Sequence, residues 1–426
     1  MNSNKYKSLI LFLAVCFSVQ IGIAQEKQIS LDEAKAMALE NNKSIKKAEQ
    51  NINAAKAAKA SAYTANKPSL SASAIGLYLA DPLNTLLPES SLNNTIDLTQ
   101  VIYAGGKINA AKKITSSLVD LQNEQKNLTT SEVLLKTETA YWQLIQLKEK
   151  KVLAKEYLKL LETLYTDLNN YYKAGLIYKN DVLKVQVTLN EAQLSLIKVL
   201  DGYTMAKLSF AQIIGLNDTN FDINNEGLDS FSSELLSNIK DAVENRSEIS
   251  ILKKSVTVQE LQSNLLKADR RPTVALSATG LYSLGKQINF SNRDDNMKSF
   301  YGLVSVNIPL FDWGGRKQKV KEQEYKVEAQ KLTLDETKEF LALEIQNAYF
   351  ELNQSIKNIE LTQKSLEQAK ENLRLYEDRL KAGTVVGKDV LEAQVLWQKA
   401  YSNAIDAKAA YKISSAKYHK AIGSLK

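Results

Sequence analysis

The feature that most constrains this chain is that it repeats itself. Lys173-Ala174-Gly175 and Asp181-Val182-Leu183 return 208 residues later as Lys381-Ala382-Gly383 and Asp389-Val390-Leu391. Ala140-Tyr141-Trp142-Gln143-Leu144 is answered at the same offset by Ala348-Tyr349-Phe350-Glu351-Leu352. Ser73-Ala74-Ile75-Gly76-Leu77-Tyr78 is answered by Ser277-Ala278-Thr279-Gly280-Leu281-Tyr282 at an offset of 204. One structural unit is therefore used twice. The 426 residues divide into a leader at 1–24, a first repeat at 25–227 and a second at 228–426.

Each repeat has the same order: a short helix, two strands, a very long helix, a tight turn and a medium helix. The short helices are expected at about 44–67 and 248–270, stopping before Pro68 and Pro272, because proline disfavours helical backbone in the residue before it. Strands are expected at about 68–80, 92–103, 272–284 and 300–311. Val274, Leu276, Ala278, Gly280 and Tyr282 alternate with Thr273, Ala275, Ser277 and Thr279, and Val304, Val306, Ile308 and Leu310 with Leu303, Ser305 and Asn307. Any one such segment would suit a half-buried strand of a soluble sheet, but four of them in a chain otherwise almost wholly helical favour barrel strands between lipid and water.

The long helices are expected at 106–174 and 315–382. At 1.5 Å per residue each is about 100 Å long, far more than a globular domain needs. In the second, Ile345, Leu352, Ile359, Leu366, Leu373 and Leu380 keep a spacing of seven. The first is looser, with Leu147, Ala154, Leu161 and Leu168 flanked by Tyr157, Leu164 and Tyr171. A seven-residue repeat implies supercoiled packing against neighbouring helices. Medium helices at 178–215 and 388–423, each stacked on a short helix, reach about 90 Å and so match the long helix beside them. The fold expected is mainly α with a small β part.

Four strands are too few to close a membrane barrel, which needs about eight. Three copies would supply twelve strands and twelve helical columns about a common axis. Beyond the leader no run of 18 apolar residues occurs, so entry into a membrane would have to be through such a barrel.

The leader itself has Lys5 and Lys7, an apolar run over 9–19, and small residues at Gly22-Ile23-Ala24, the pattern of a cleaved secretory signal. Cys16 is the only cysteine, so the exported chain would have no disulfide and no thiol nucleophile. Leu13-Ala14-Val15-Cys16 faintly matches a lipoprotein site, but Val15 is bulky where a small residue is required. Losing Lys5 and Lys7 lowers the formal charge from +7 to +5, a modest excess spread along helices and no nucleic-acid signature. The one histidine, His419, has no cysteine and no evident acid cluster, and Gly105-Gly106 and Gly314-Gly315 read as bends from strand into helix rather than phosphate loops. Neither an enzyme nor a cofactor is expected.

The turns carry the remaining signal. Gly175 and Gly383 stand where a helix C-terminus needs a left-handed residue, and Asp181 and Asp389 where the next helix begins. Good caps alone would explain them. Leu176-Ile177 and Val385-Val386, beside Thr384, are not what a solvated turn needs, and apolar tips suggest a docking surface. Tyr78, Tyr282, Tyr301 and Trp313 are candidates for aromatic girdles at membrane interfaces, with core or loop packing as the competing reading, and the loops 81–91 and 285–299 are expected to face outward.

The duplication, the step Pro309-Leu310-Phe311-Asp312-Trp313-Gly314-Gly315-Arg316 and the paired Ala-Gly-x5-Asp-Val-Leu turns at 174–183 and 382–391 resemble the TolC family of outer-membrane efflux proteins over nearly the whole mature chain. The resemblance implies a homotrimer with a twelve-stranded transmembrane β-barrel continued by a periplasmic α-helical barrel. It further implies a periplasmic adaptor meeting the tips and an inner-membrane transporter, of the RND or ABC type, upstream. By the same resemblance Asp389 and Glu392, one turn on, match the acids of the narrowest ring, which would favour cations. Lys388 adjoins them, and Lys184 stands at the first-repeat equivalent of Glu392. The sequence departs from the family at Val385, where a latching arginine is implied, while Asp181 matches that latch's partner. The rival expectation is a secreted coiled-coil scaffold or adhesin without a pore.

Overall fold

The computed structural model describes residues 27–225 and 227–425; the expected signal segment with Cys16 lies outside them. In chain order the elements are β1 (Lys27–Ile29), α1 (Leu31–Asn41), α2 (Lys43–Thr64), β2 (Ser69–Tyr78), β3 (Ser90–Ala104), α3 (Lys107–Lys173), α4 (Lys179–Ile214), β4 (Phe221–Ile223), α5 (Ile239–Glu244), α6 (Ser247–Ala268), β5 (Thr273–Gly285), β6 (Asn296–Asn307), α7 (Gly315–Lys381) and α8 (Gly387–Ala421). The described residues form two compact units that cut across the sequence repeats. The first takes 27–42, 134–233 and 352–416, and the second 43–133, 234–351 and 417–425.

In the second unit the four long strands form one antiparallel sheet in the order β2-β3-β5-β6. β6 ends at Asn307 rather than near 311, because Pro309 has no N–H to give the ladder; Ile308 and Leu310 lie past the strand. β6 and β3 also start earlier than their sequence suggests, at Asn296 and Ser90, because backbone pairing runs on to Leu284 with Asn296 and to Tyr78 with Ser90, whatever side chains stand there.

The register separates two faces. Ser71, Ser73, Thr95, Asp97, Thr99, Ser277 and Thr279 share one; Leu70, Ala72, Ile96, Leu98, Leu276, Phe300 and Val304 share the other. Asp97 sits at the middle of the polar face and accepts hydrogen bonds from the hydroxyls of Thr279, at 2.6 Å, and Thr95, at 2.9 Å. Leu70, Ile96, Phe300 and Val304 on the apolar face are exposed. β2 and β6 are the sheet's outer strands and pair on one side only.

A buried ion cluster fastens the helices of this unit. The Arg246 side chain, 3% exposed, donates through Nε and Nη2 to Glu248, at 3.0 and 2.6 Å, and through Nη1 to the Ala421 carbonyl at 2.9 Å. Glu344 stands 3.4 Å from Nη1. A guanidinium buried this far is tolerable only because its N–H groups are met by carboxylates and a carbonyl.

The first unit has its own core. The parallel pair of β1 and β4 brings Ile29 beside Ile223. Tyr141 is buried against them with Phe210 and Trp142, at ring separations of 6.0 and 5.3 Å, and its hydroxyl donates to the Asn224 carbonyl at 2.6 Å. Ser30 and Glu33 form a reciprocal capping box that starts α1. The heptad positions on α7 behave as expected: Ile345, Leu352 and Leu373 are buried, and Ile359, Leu366 and Leu380 half-buried. On α3 the buried seam is Leu153, Leu161, Leu164 and Leu168, with Leu147 and Ala154 less covered.

Two further stripes are apolar and exposed. On α4 they are Leu183, Val187, Leu194, Ile197, Met205 and Leu208, and on α7 Tyr325, Leu332, Phe340, Leu343 and Phe350. Both recur at helical spacing, so each covers a continuous face.

Candidate functional site

The two tight turns in the first unit are built alike. At the end of α3, Gly175 has φ +76, its N–H bonds the Tyr172 carbonyl and that of Leu176 bonds Tyr171, each at 2.9 Å. At the end of α7, Gly383 has φ +70, its N–H bonds Leu380 and that of Thr384 bonds Arg379, each at 3.0 Å. This pair of bonds closes a helix with a left-handed residue, where a side chain is disfavoured. The Thr384 hydroxyl adds a second donor to Arg379 at 3.1 Å.

The following helices open with Asp181 and Asp389 at the third position. Asp389 Oδ2 accepts from the Val386 N–H at 3.3 Å, half of a capping box, and Asp181 lies 3.9 Å from Lys184. Glu392, exposed, pairs with Lys388 at 3.3 Å. On one chain these carboxylates are therefore cap and surface pair; any ring requires further copies.

The apolar tip residues divide. Leu176 is 71% exposed and Val386 57%, whereas Ile177 and Val385 pack against a core of Leu161, Leu164, Leu168, Val182, Val185 and Val390. Of the four apolar tip residues two are therefore exposed, because alternate positions hold the turn on its own helices. Tyr178, which the sequence reading passed over, is 82% exposed beside them. Gly387, also absent from that reading, is buried: a Cβ there would fall 2.5 Å from both methyls of Leu168. The signal was the run Val385-Val386-Gly387, where the first repeat has Ile177-Tyr178-Lys179.

The aromatic candidates also part company. Tyr78 and Tyr282 are on the apolar face, but Tyr301 pairs with Thr279 on the polar one, since a one-residue step in a strand reverses the side chain. Trp313 lies beyond β6, almost fully exposed, edge-on to Phe311 at 4.9 Å. Asp312 between them accepts from the backbone N–H groups of Arg316 and Gly314, which hold its carboxyl below the usual range and cap α7. His419 is not isolated: its Nε2 is 3.2 Å from Glu234. Among the described residues no acid, histidine or cysteine cluster could hold a metal, and no helix is long and apolar enough to cross a membrane.

The sheet has one apolar, exposed face, and the two helices of 67 residues end in matched turns. The outer membrane efflux protein family matches residues 36–216 and 238–424. The chain belongs to that family. It is a subunit of an outer-membrane channel for efflux, with a large helical part in the periplasm, and the family implies trimeric assembly and pump partners in general. No curated protein sequence matches it. Among solved structures it is similar to the Campylobacter jejuni CmeC outer membrane channel, with TM-score 0.80 and 18% identity over 92% of this chain and 85% of that one. A membrane protein from Pseudomonas aeruginosa gives TM-score 0.80 and 16% identity, covering 92% and 93%. The open-state Neisseria gonorrhoeae MtrE outer membrane channel gives 0.75 and 18%, covering 93% and 89%. At these identities the structures share the fold of this efflux protein.

Proposed function

We propose that three copies close into a water-filled conduit that receives solutes from an inner-membrane RND or ABC transporter through a periplasmic adaptor and releases them outside the cell without chemistry. The observation that carries this reading is the pair of single-sided outer strands. β2 and β6 run in opposite directions, so β6 of one copy pairs antiparallel with β2 of the next, and three sheets close at twelve strands. The exposed apolar stripes on α4 and α7 support the same closure among the helices.

In this conduit Leu176, Tyr178 and Val386 form the adaptor-docking tips, held by Gly175, Ile177, Gly383, Thr384 and Val385. Asp389 and Glu392 of three copies, with Asp181 nearby, form the entrance constriction. Tyr78 and Tyr282 anchor the barrel at the membrane interface, and Trp313 does so at the periplasmic border. Reconstitution of the purified protein in planar bilayers tests the conduit: discrete, long-lived ion conductance is expected, and a stable trimer that conducts nothing would sink it.

A further inference from the structure

A pocket of about 340 Å³ lies at the foot of the sheet in the second unit, where β3, β5 and β6 meet the end of α6 and the starts of α3 and α7. Lys107, Arg271, Arg316 and Lys319 line it, and Asp269 is the one carboxylate among its lining residues. Lys107 pairs with Asp269 at 2.6 Å, and Arg271 donates to the Gly105 carbonyl at 3.1 Å. Arg316 is 3.5 Å from Asp312, a carboxylate that already accepts two backbone N–H groups. Positive charge is in surplus.

The helices add to it. α3 and α7 both begin at this pocket and neither has an acid in its first turn, although the positive end of a helix ordinarily attracts one. Two carboxylates, Asp312 at the start of α7 and Asp269 beside Lys107, face four cations there. An anion seated among these cations and helix ends would offset the excess of positive charge.

The register says which side the pocket opens on. Its strand residues Ala104 and Asn307 both pair with Thr273, on the face of Asp97 and Thr279. The opposite, apolar face is the one that can meet lipid. We propose that this pocket binds the phosphate or carboxylate groups of anionic solutes in the channel lumen, so that three copies form an anion station at the barrel floor. Its place in the lumen rests on the conduit reading; its affinity for anions does not.

The test uses the full-length trimer in detergent, titrated calorimetrically with tripolyphosphate, and the same trimer in planar bilayers with tripolyphosphate added on the barrel side. The wild type is expected to bind and to show a reduced current. In R316Q/K319Q the affinity is expected to fall about tenfold or more, since charged hydrogen bonds are lost, while charge-conserving R316K/K319R keeps most of it. Equal affinity in wild type and R316Q/K319Q overturns the proposal, as does equal loss in both variants. Conductance without such binding overturns the anion station and leaves the conduit standing; binding without conductance supports the anion site and removes the conduit.

Discussion

Gly387, the first residue of α8, lies so close to Leu168 of α3 that a Cβ would meet both of its methyls at 2.5 Å. Leu168 is buried in the tip cluster with Leu161, Leu164, Val182 and Val185. Gly387→Ala should therefore overpack the tip and destabilise it by about 1–3 kcal/mol. Gly383→Ala meets no atom within 4 Å and is opposed only by its positive φ, so it should cost about 1–2 kcal/mol. Hydrogen exchange of the amides in 161–168 and 387–391 separates the two: G387A should raise exchange in both segments, G383A only around the turn.

Arg246 and Glu248 give a pH dependence with a definite sign. Burial works against the Glu248 carboxylate, but the hydrogen bond and charge of Arg246, with Lys420, outweigh it and hold the carboxyl below its ordinary value of 4.5. A carboxyl lowered on folding contributes stability that is complete above its unfolded value and lost as pH falls through the folded one. Thermal unfolding of the wild type should thus show this loss only below about pH 4.5. Arg246→Gln leaves Glu248 partly buried without its partner, and should cost about 3–5 kcal/mol at pH 7. An unchanged acid profile in R246Q would show that the pair is not the titrating element.

The extent to which this architecture was legible follows from residue patterns of different reach. The long helices were readable because Ile345 to Leu380 keep one spacing over many turns, and the turns because Gly175 and Gly383 have a conformational requirement of their own. β1 and β4 were not, since three residues show no period, and their pairing joins Ile29 to Ile223 from opposite ends of a repeat. The face of Tyr301 was missed because it was chosen by residue type, although the alternation of β6 places it with Leu303 and Ser305, opposite Val304 and Val306. Exposure at the tips was over-read for Ile177 and Val385: composition told that apolar side chains were there, but only packing told which of them were used internally.

That division yields a paired experiment. Leu176→Asp with Val386→Asp places charge on exposed positions and should leave thermal stability within about 0.5 kcal/mol while abolishing adaptor capture in cells. Ile177→Asp with Val385→Asp drives carboxylates into the Leu161 to Leu168 cluster and should lower stability by several kcal/mol, roughly, before any effect on docking is read. Normal adaptor cross-linking in L176D/V386D would exclude the tips as the docking surface.

The α7 stripe should decide whether the chain associates. Leu343 and Phe350 are both exposed on one helical face, and covering each is worth about 1.5–3 kcal/mol. Leu343→Glu with Phe350→Glu should shift native mass from trimer to monomer in mild detergent without unfolding the protomer. A variant that remains wholly trimeric would place the subunit contact elsewhere.

The entrance ring is the reading with most to lose, because on a single chain its members already have local duties. Asp389 accepts from the Val386 N–H and Glu392 pairs with Lys388 at 3.3 Å, so cap and surface pair would explain both without a pore. A pore adds a requirement of sign. If three copies converge, Asp389→Ala with Glu392→Ala should weaken cation preference, whereas Lys388→Ala should strengthen it by releasing Glu392 from its partner. Reversal potentials across a KCl gradient read both. The shifts should shrink from about 0.1 M to 1 M salt as the screening length falls from about 10 to 3 Å. Purely structural carboxylates would move the two variants in the same direction, through damage to the start of α8, and would show no such salt dependence.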